Sequence, residues 1–335
     1  MEKQIKRIGV LTSGGDAPGM NAALRAVVRA ATSWGIDCVG IRRGWNGLIN
    51  SDFIRMDTSS VSHIINKGGT LLYTARSEEF RTVDGQDKAL GTCKLLGLDA
   101  IVAIGGDGTF RGALDLSRRA AEKGSSLRVA GIPATIDNDI GCSHYTIGFD
   151  TACNTAIECI DKLRDTMQSH ERCSVVEVMG RHAGYLALNV GLSVGASAVL
   201  IPERELDFEK DVVEKIRRAR LAGTTHYMVV VAEGAGSAME ISERIREEVG
   251  LDPRVTVLGH VQRGGAPSAQ DRVTASRMGY TAVKALAEGN GNCIIATKAG
   301  QLVTLEMEEA LQMKKEFDMS AYRILEALTN NCGPL

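Results

Sequence analysis

The chain has no apolar run long enough to cross a bilayer, although 44% of its 335 residues are hydrophobic; a transmembrane span is excluded. Proline is scarce, 6 residues against 37 glycines, and no low-complexity linker marks a domain boundary. The opening segment, Met1-Glu-Lys-Gln-Ile-Lys-Arg7, leads straight into a strand pattern, so no secretory leader is expected. None of the eight cysteines forms a C-x-x-C pair, and Cys93, Cys153 and Cys159 fall in expected helices. Reduced thiols in a cytoplasmic protein are therefore the expectation. A net charge of -2 gives no electrostatic basis for binding nucleic acid or a membrane. What the chain has in excess is glycine, placed at strand ends where backbone must pass close to a ligand.

Apolar strand patterns, glycine loops and helical patterns alternate along the whole chain. Strands are expected at Arg7–Thr12, Ile36–Ile41, Ala100–Ile104, Leu127–Ile132 and Ser174–Val178, then near 198–201, 227–232, 255–258 and 293–297. Helices are expected up to Ser33, at Gly85–Leu96, Phe110–Lys123 and Asp150–Gln168, then around 182–192, 207–222, 238–249, 269–288 and 320–328. Such βα alternation implies parallel sheets wound by right-handed crossovers. So many units exceed one comfortable sheet. The expected architecture is two doubly wound α/β domains with largely parallel sheets and a cleft between them.

The stretch Pro133-Ala-Thr-Ile-Asp-Asn-Asp139 follows an apolar strand pattern, where α/β sheets place ligands. If it is extended, Asp137 and Asp139 point the same way about 6.6 Å apart, one able to hold a metal and the other to take a proton. A pair of acids in a turn more often means local capping, but a second acidic loop, Gly105-Gly-Asp-Gly-Thr109, follows the preceding strand. Its carboxylate among glycines suits a hydrated magnesium on polyphosphate. Ser13-Gly-Gly-Asp16, between strand and helix, can bring N–H groups to a phosphate; it lacks the Gly-Lys-Ser/Thr of a Walker loop. Arg76, Arg172, Arg181, Arg254 and Arg263, with His260, lie in loops or beside strands, not on helix faces. That placement favours anion recognition by forked guanidinium groups over a solvated surface role. Two phosphorylated partners suggest phosphoryl transfer.

Taken in order, the motifs resemble those of bacterial-type ATP-dependent 6-phosphofructokinases. They are Gly9-Val-Leu-Thr-Ser-Gly-Gly-Asp-Ala-Pro-Gly-Met-Asn21, Gly69-Thr-Leu-Leu-Tyr-Thr-Ala-Arg76, Gly105-Gly-Asp-Gly-Thr109, Thr135-Ile-Asp-Asn-Asp139, Ser169-His-Glu-Arg172, Met179-Gly-Arg181, Ala232-Glu-Gly234 and Gly259-His-Val-Gln-Arg-Gly-Gly265. The resemblance implies that Gly15, Arg76, Ser77, Gly106, Asp107, Gly108 and Thr109 hold ATP, with Trp45 either stacking on adenine or serving as a half-exposed packing residue. It implies magnesium at Asp107, supported by Asp139. Asp137 would be the base for the sugar 1-hydroxyl, Thr135 would lie beside the transferring phosphoryl group, and Arg181 with Arg76 would neutralise its charge. Fructose 6-phosphate would be held by Thr135, Ile136, Asp137, Met179, Gly180, Arg181, Glu233, His260 and Arg263. Arg172 and Arg254 would be lent by a neighbouring subunit, in a homotetramer with shared sites. The family's chain crossing implies an ATP domain of 1–145 plus about 262–312 and a sugar-phosphate domain of about 146–261 plus 313–335.

Three rival functions leave different marks in the sequence. A pyrophosphate-dependent relative would carry Asp in place of Gly108 and Lys in place of Ala134; a small residue at each leaves room for the α-phosphate and nucleoside. A nucleotide or lipid kinase would not need the Met179–Arg181 and Gly259–Gly265 motifs. A non-catalytic sugar-phosphate sensor would be expected to have lost Asp107, Asp137 or Arg181, and all three are present. For regulation, Arg25, Arg29 and Arg164 match the family's effector arginines. Ser197 replaces the effector-metal glutamate, and Ala222 and Thr224 stand where a basic pair is usual. Weak or absent response to ADP and phosphoenolpyruvate follows.

Overall fold

The computed structural model describes residues 5–329. Residues 1–4 and 330–335, which are the outermost ends of the two expected domains and include Cys332, lie outside the described residues. The chain folds into two compact units. One takes the described residues up to Thr135, Ile140–Thr151 and Arg263–Lys315; the other takes Ile136–Asp139, Ala152–Gln262 and the described residues from Glu316 on.

The first unit is built on seven strands: β1 (Arg7–Ser13), β2 (Asp37–Ile41), β3 (Phe53–Met56), β4 (Ala100–Gly105), β5 (Arg128–Pro133), β10 (Cys293–Lys298) and β11 (Gln301–Glu306). Their order is β11-β10-β5-β4-β1-β2-β3. The inner pairs are parallel, whereas β3 and β11 run antiparallel at the two edges. The inner strands are nearly continuous apolar runs because helices cover both faces. Leu11, Ile101, Ala103 and Val129 face one layer with α2 (Gly44–Ile49), α3 (Val83–Leu96), α4 (Asp107–Glu122) and α10 (Met307–Gln312). The alternate residues Val10, Val102 and Ala130 are also fully buried, on the face covered by α1 (Met20–Ser33) and α9 (Ala269–Ala287), which pack on each other.

The second unit has a four-stranded parallel sheet, β7-β8-β6-β9, from β6 (Cys173–Val178), β7 (Ala198–Leu200), β8 (Tyr227–Ala232) and β9 (Arg254–Val257). Around it lie α5 (Phe149–His170), α6 (Tyr185–Ser193), α7 (Glu214–Leu221), α8 (Ala238–Val249) and α11 (Met319–Thr329). Val175, Leu200, Val229 and Val231 pack with Val212, Ile216, Ile241 and Ile245 in its core. A π-helical turn, Glu209–Val213, leads into α7.

No disulfide joins the seven described cysteines, and burial pushes the thiols of Cys38, Cys93, Cys173 and Cys293 up to about 12. No described helix is long and apolar enough to cross a membrane.

Candidate active site

In the first unit β1 has β4 on one side and β2 on the other, so the strand order reverses beside β1, where open α/β sheets bind ligands. Three loops leave neighbouring carboxyl ends there, after β1, β4 and β5. Gly14 takes φ +91°, a left-handed conformation suited to glycine; Thr74 Oγ1 donates to its carbonyl at 2.7 Å. Thr109 Oγ1 donates to Ser13 O at 3.1 Å, tying the β1 loop to the β4 loop. A side chain at Gly15 would meet the Arg263 guanidinium at 3.5 Å, so Gly15 and Arg263 are neighbours. Arg76 is exposed, and Ser77 Oγ accepts from Phe80 N at 3.3 Å.

Asp107 is the first residue of α4, a helix of 16 residues that starts three residues earlier than the apolar pattern indicated. Gly106, extended at φ -99° and ψ -167°, precedes it. The first turn of such a helix presents unsatisfied N–H groups and the positive end of the dipole, worth about 0.3–1 kcal/mol for an anion. A Cβ on Gly106 or Gly108 would meet nothing within 4 Å, so the loop opens on free space. Asp107 is exposed and accepts from Arg111 Nε at 2.6 Å. Among the described residues no group of three or more His, Cys, Asp or Glu could hold a metal. One accessible carboxylate at a helix start suited to phosphate does fit magnesium, which takes most of its ligands from phosphates and water.

Trp45 corrects an expectation. It is 4% exposed within the core, stacked on Phe80 with centroids 4.6 Å apart. It has no free face for a purine unless that stack opens, and its role here is packing.

The geometry expected of Asp137 and Asp139 is also different. The β5 extension ends at Ala134 and Thr135; Ile136 and Asp137 lie in a turn, and Asn138 is left-handed at φ 51°. The extended-chain argument for two carboxylates side by side therefore does not hold. Asp137 is half-buried and Asp139 exposed. Burial, then the negative charges of Glu203 and Asp139, push the Tyr185 phenol up to about 12.

In the second unit the carboxyl ends of β6, β8 and β9 carry the other motif residues. Glu233 Oε1 accepts from Gly180 N at 3.3 Å and Arg181 N at 2.6 Å, holding Arg181 at φ +58°. Met179 N donates to Gln262 Oε1 at 2.9 Å. Gln262 is fully buried; sequence reasoning passed over it because it is the uncharged member of a motif read for His260 and Arg263. Glu203 Oε1 accepts from Gly184 N at 2.8 Å at the start of α6, and no sequence signal marked it. His260 is exposed in the short turn Gly259–Arg263.

Arg172 and Arg254 are elsewhere. Arg172 immediately precedes β6 and Arg254 opens β9, paired in register with Ser174. Arg172 and Met179 thus lie at opposite ends of one strand, about 20 Å apart at the usual rise per residue. Arg254 is exposed, 3.4 Å from Asp252.

A separate pocket of about 140 Å³ in the second unit is lined by Arg164, Ser197, Lys215, Thr224 and His226 among others. Arg164 donates through Nη2 to Val194 O at the end of α6. Lys215, on α7 in no motif, was not singled out from the sequence; burial lowers its pKa against the opposing effect of Glu326, 3.6 Å away. Arg25 and Arg29 lie on α1 of the first unit.

A phosphofructokinase family model matches residues 7–286. The chain is 48% identical over 325 residues to the ATP-dependent 6-phosphofructokinase of Clostridium botulinum (strain Loch Maree / Type A3), covering 97% of this chain and 100% of that one. With the ATP-dependent 6-phosphofructokinase of Shouchella clausii (strain KSM-K16) the identity is 49% at the same coverage. The structure of phosphofructokinase from Saccharomyces cerevisiae superposes with a TM-score of 0.86 at 34% identity, over 97% of this chain and 47% of that chain, about half its length. The chain belongs to the phosphofructokinase family.

Proposed function

We propose that the protein transfers the γ-phosphoryl group of ATP to the 1-hydroxyl of D-fructose 6-phosphate, giving fructose 1,6-bisphosphate and ADP. The observation that carries this reading is the Gly105–Thr109 loop opening α4 beside the β1 loop, in a chain 48–49% identical to ATP-dependent 6-phosphofructokinases.

In this reading the polyphosphate lies on the N–H groups of the Gly15 and Gly106–Thr109 loops, with Arg76 and Ser77 beside it. Asp107 and Asp139 would hold Mg²⁺, which when bound neutralises β- and γ-phosphate oxygens. Met179, Gly180, Glu233, His260 and Arg263 hold the sugar phosphate. The sugar 1-oxygen forms a bond to the γ-phosphorus, the bond to the β,γ-bridging oxygen breaks, and Asp137 takes the hydroxyl proton. Arg76 and Arg181 face the charge spread over the equatorial oxygens, and Thr135 lies beside them. Such a reaction asks for positioning and charge neutralisation, not covalent help. ATP as donor is supported by the open space beside Gly108 and by Ala134, a small residue where a pyrophosphate-dependent relative would carry lysine.

The assembly is a homotetramer in the cytoplasm, with Arg172 and Arg254 serving a neighbour's sugar 6-phosphate. Their place at the amino ends of β6 and β9, a strand's length from Met179, supports that sharing. Arg25, Arg29 and Arg164 belong to an effector site weakened by Ser197, Ala222 and Thr224.

Asp137→Asn tests the assignment. The variant should bind fructose 6-phosphate as the parent does, while kcat falls on the order of 10²–10⁴-fold, the usual worth of a general base. A kcat within a few-fold of the parent would remove Asp137 from the mechanism.

A further inference from the structure

Asp271, in the first turn of α9, is a fully buried carboxylate that none of the chemistry above uses. An unpaired buried carboxylate is costly, and this one is met by donors from a single segment. Tyr145 Oη donates to Oδ1 at 2.5 Å and Gly148 N at 2.6 Å. Thr151 N donates to Oδ2 at 2.9 Å, and Thr151 Oγ1 donates to the same oxygen. Burial raises the Asp271 pKa, and these four donors oppose the rise. The segment is also tied to the start of α9, since Ser268 N donates to Thr151 Oγ1 at 2.9 Å.

What the carboxylate holds is a turn. Gly148 sits at φ +102°, with no space for a side chain: its Cβ would lie 2.7 Å from Ala17 Cβ, just beyond the β1 loop. The residues before the turn run beside the end of β5. Ala134 and Ile147 form a parallel bridge, Ile147 N donates to Pro133 O at 3.0 Å, and Thr146 Oγ1 donates to Thr135 O at 2.6 Å. Asp137 follows Thr135 by two residues, in the turn that Ile136 begins.

We propose that Asp271 is a positioning residue for the catalytic loop: by fixing the Tyr145–Thr151 turn it sets the brace on Pro133–Thr135 and thereby the placement of Asp137. This rests on Asp137 being the base. A displacement of about 1 Å at a reacting group can cost about a hundredfold in rate, so a brace two links away matters.

The test uses Asp271→Asn and Thr146→Val, singly and combined, in the full-length protein. Asp271→Asn keeps the shape but turns one acceptor oxygen into a donor facing donors. Thr146→Val removes the side-chain bond to Thr135, the link nearest Asp137, and leaves the carboxylate and its four donors intact. Each should lower kcat by about tenfold or more with the KM for fructose 6-phosphate within about threefold. The double variant should lose little more than the worse single one, since both act on one link. Hydrogen exchange at the Ile147 amide, which needs no activity, should quicken at least tenfold in Asp271→Asn. A melting temperature that falls while kcat at 25 °C stays near the parent value would make Asp271 structural only and overturn the proposal. So would multiplicative losses in the double variant, or unchanged exchange at Ile147. If Asp271→Asn does not fold, Thr146→Val alone decides by its kcat. A parent inactive with ATP and fructose 6-phosphate would instead sink the functional reading, and the exchange result would still test the brace.

Discussion

Mixing two inactive variants puts the sharing of sites between subunits at risk. Arg254 opens β9 at the amino end of the second unit's sheet, while Met179 and Glu233 follow the carboxyl ends of β6 and β8. Arg254 lies level with Ser174, five residues before Met179, so the two stand about 17 Å apart along the strand, beyond the span of one sugar phosphate. Arg254 therefore reaches a substrate on another protomer, or none. A hydrogen bond from a charged donor to a charged acceptor is worth about 1.5–3 kcal/mol, so Arg254→Ala should raise the KM for fructose 6-phosphate roughly 10- to 150-fold. At low substrate it is then nearly inactive, as Asp137→Asn is through kcat. Co-refolded at equal amounts, the two should form hybrid oligomers in which about a quarter of the sites combine a native Asp137 with a neighbour's native Arg254. Activity at low fructose 6-phosphate should rise well above the mean of the separate variants, and native mass spectrometry would confirm the mixing. No recovery in demonstrably mixed oligomers refutes the sharing and returns Arg254 to the surface pair it makes with Asp252.

Gly108→Asp should fold normally, because a side chain there meets nothing within 4 Å. It should cut kcat/KM for ATP by at least about tenfold, as its charge and bulk occupy the nucleotide side of the α4 start; unchanged ATP kinetics would refute that use of the space. Titrating ADP and phosphoenolpyruvate at sub-saturating fructose 6-phosphate should move half-saturation by less than about tenfold, under roughly 1.4 kcal/mol of coupling; a larger shift would show that the pocket binds an effector without basic residues at Ala222 and Thr224. Lys215 is held below its ordinary value of 10.5 mainly by burial. Between its folded pKa and 10.5 the unfolded chain binds the extra proton, so stability against urea should rise with pH in that window. Lys215→Met should flatten that rise, and an identical pH slope in parent and variant would refute the assignment.

The alternation of sheet and helix was legible because the inner strands are continuous apolar runs closed by glycine, a pattern that both-face burial imposes. The edge strands β3 and β11 were not, since their residues are half-exposed and they pair on one side only. The motif residues could be picked out along the chain, but their conformations could not. Gly105-Gly-Asp-Gly reads as loop, yet α4 begins within it at Asp107. Ile136 and Asp137 read as extended, yet they turn, because the β5 ladder ends at the bridge between Ala134 and Ile147. Trp45 carried an expectation of stacking on a base, and tertiary packing on Phe80 took its ring instead. Asp271 looks in sequence like any acid in a first helical turn after a Ser cap; only the fold brings Tyr145, Gly148 and Thr151 to it.

The most direct test of the account is the reaction itself, followed by ³¹P NMR with purified protein, fructose 6-phosphate and either MgATP or magnesium pyrophosphate at equal concentration. The expected result is fructose 1,6-bisphosphate and ADP from ATP, with turnover on pyrophosphate at least about a hundredfold slower, a difference of roughly 2.7 kcal/mol in transition-state stabilisation. Comparable rates from pyrophosphate would contradict the donor assignment, and no bisphosphate from either donor would contradict the proposed reaction.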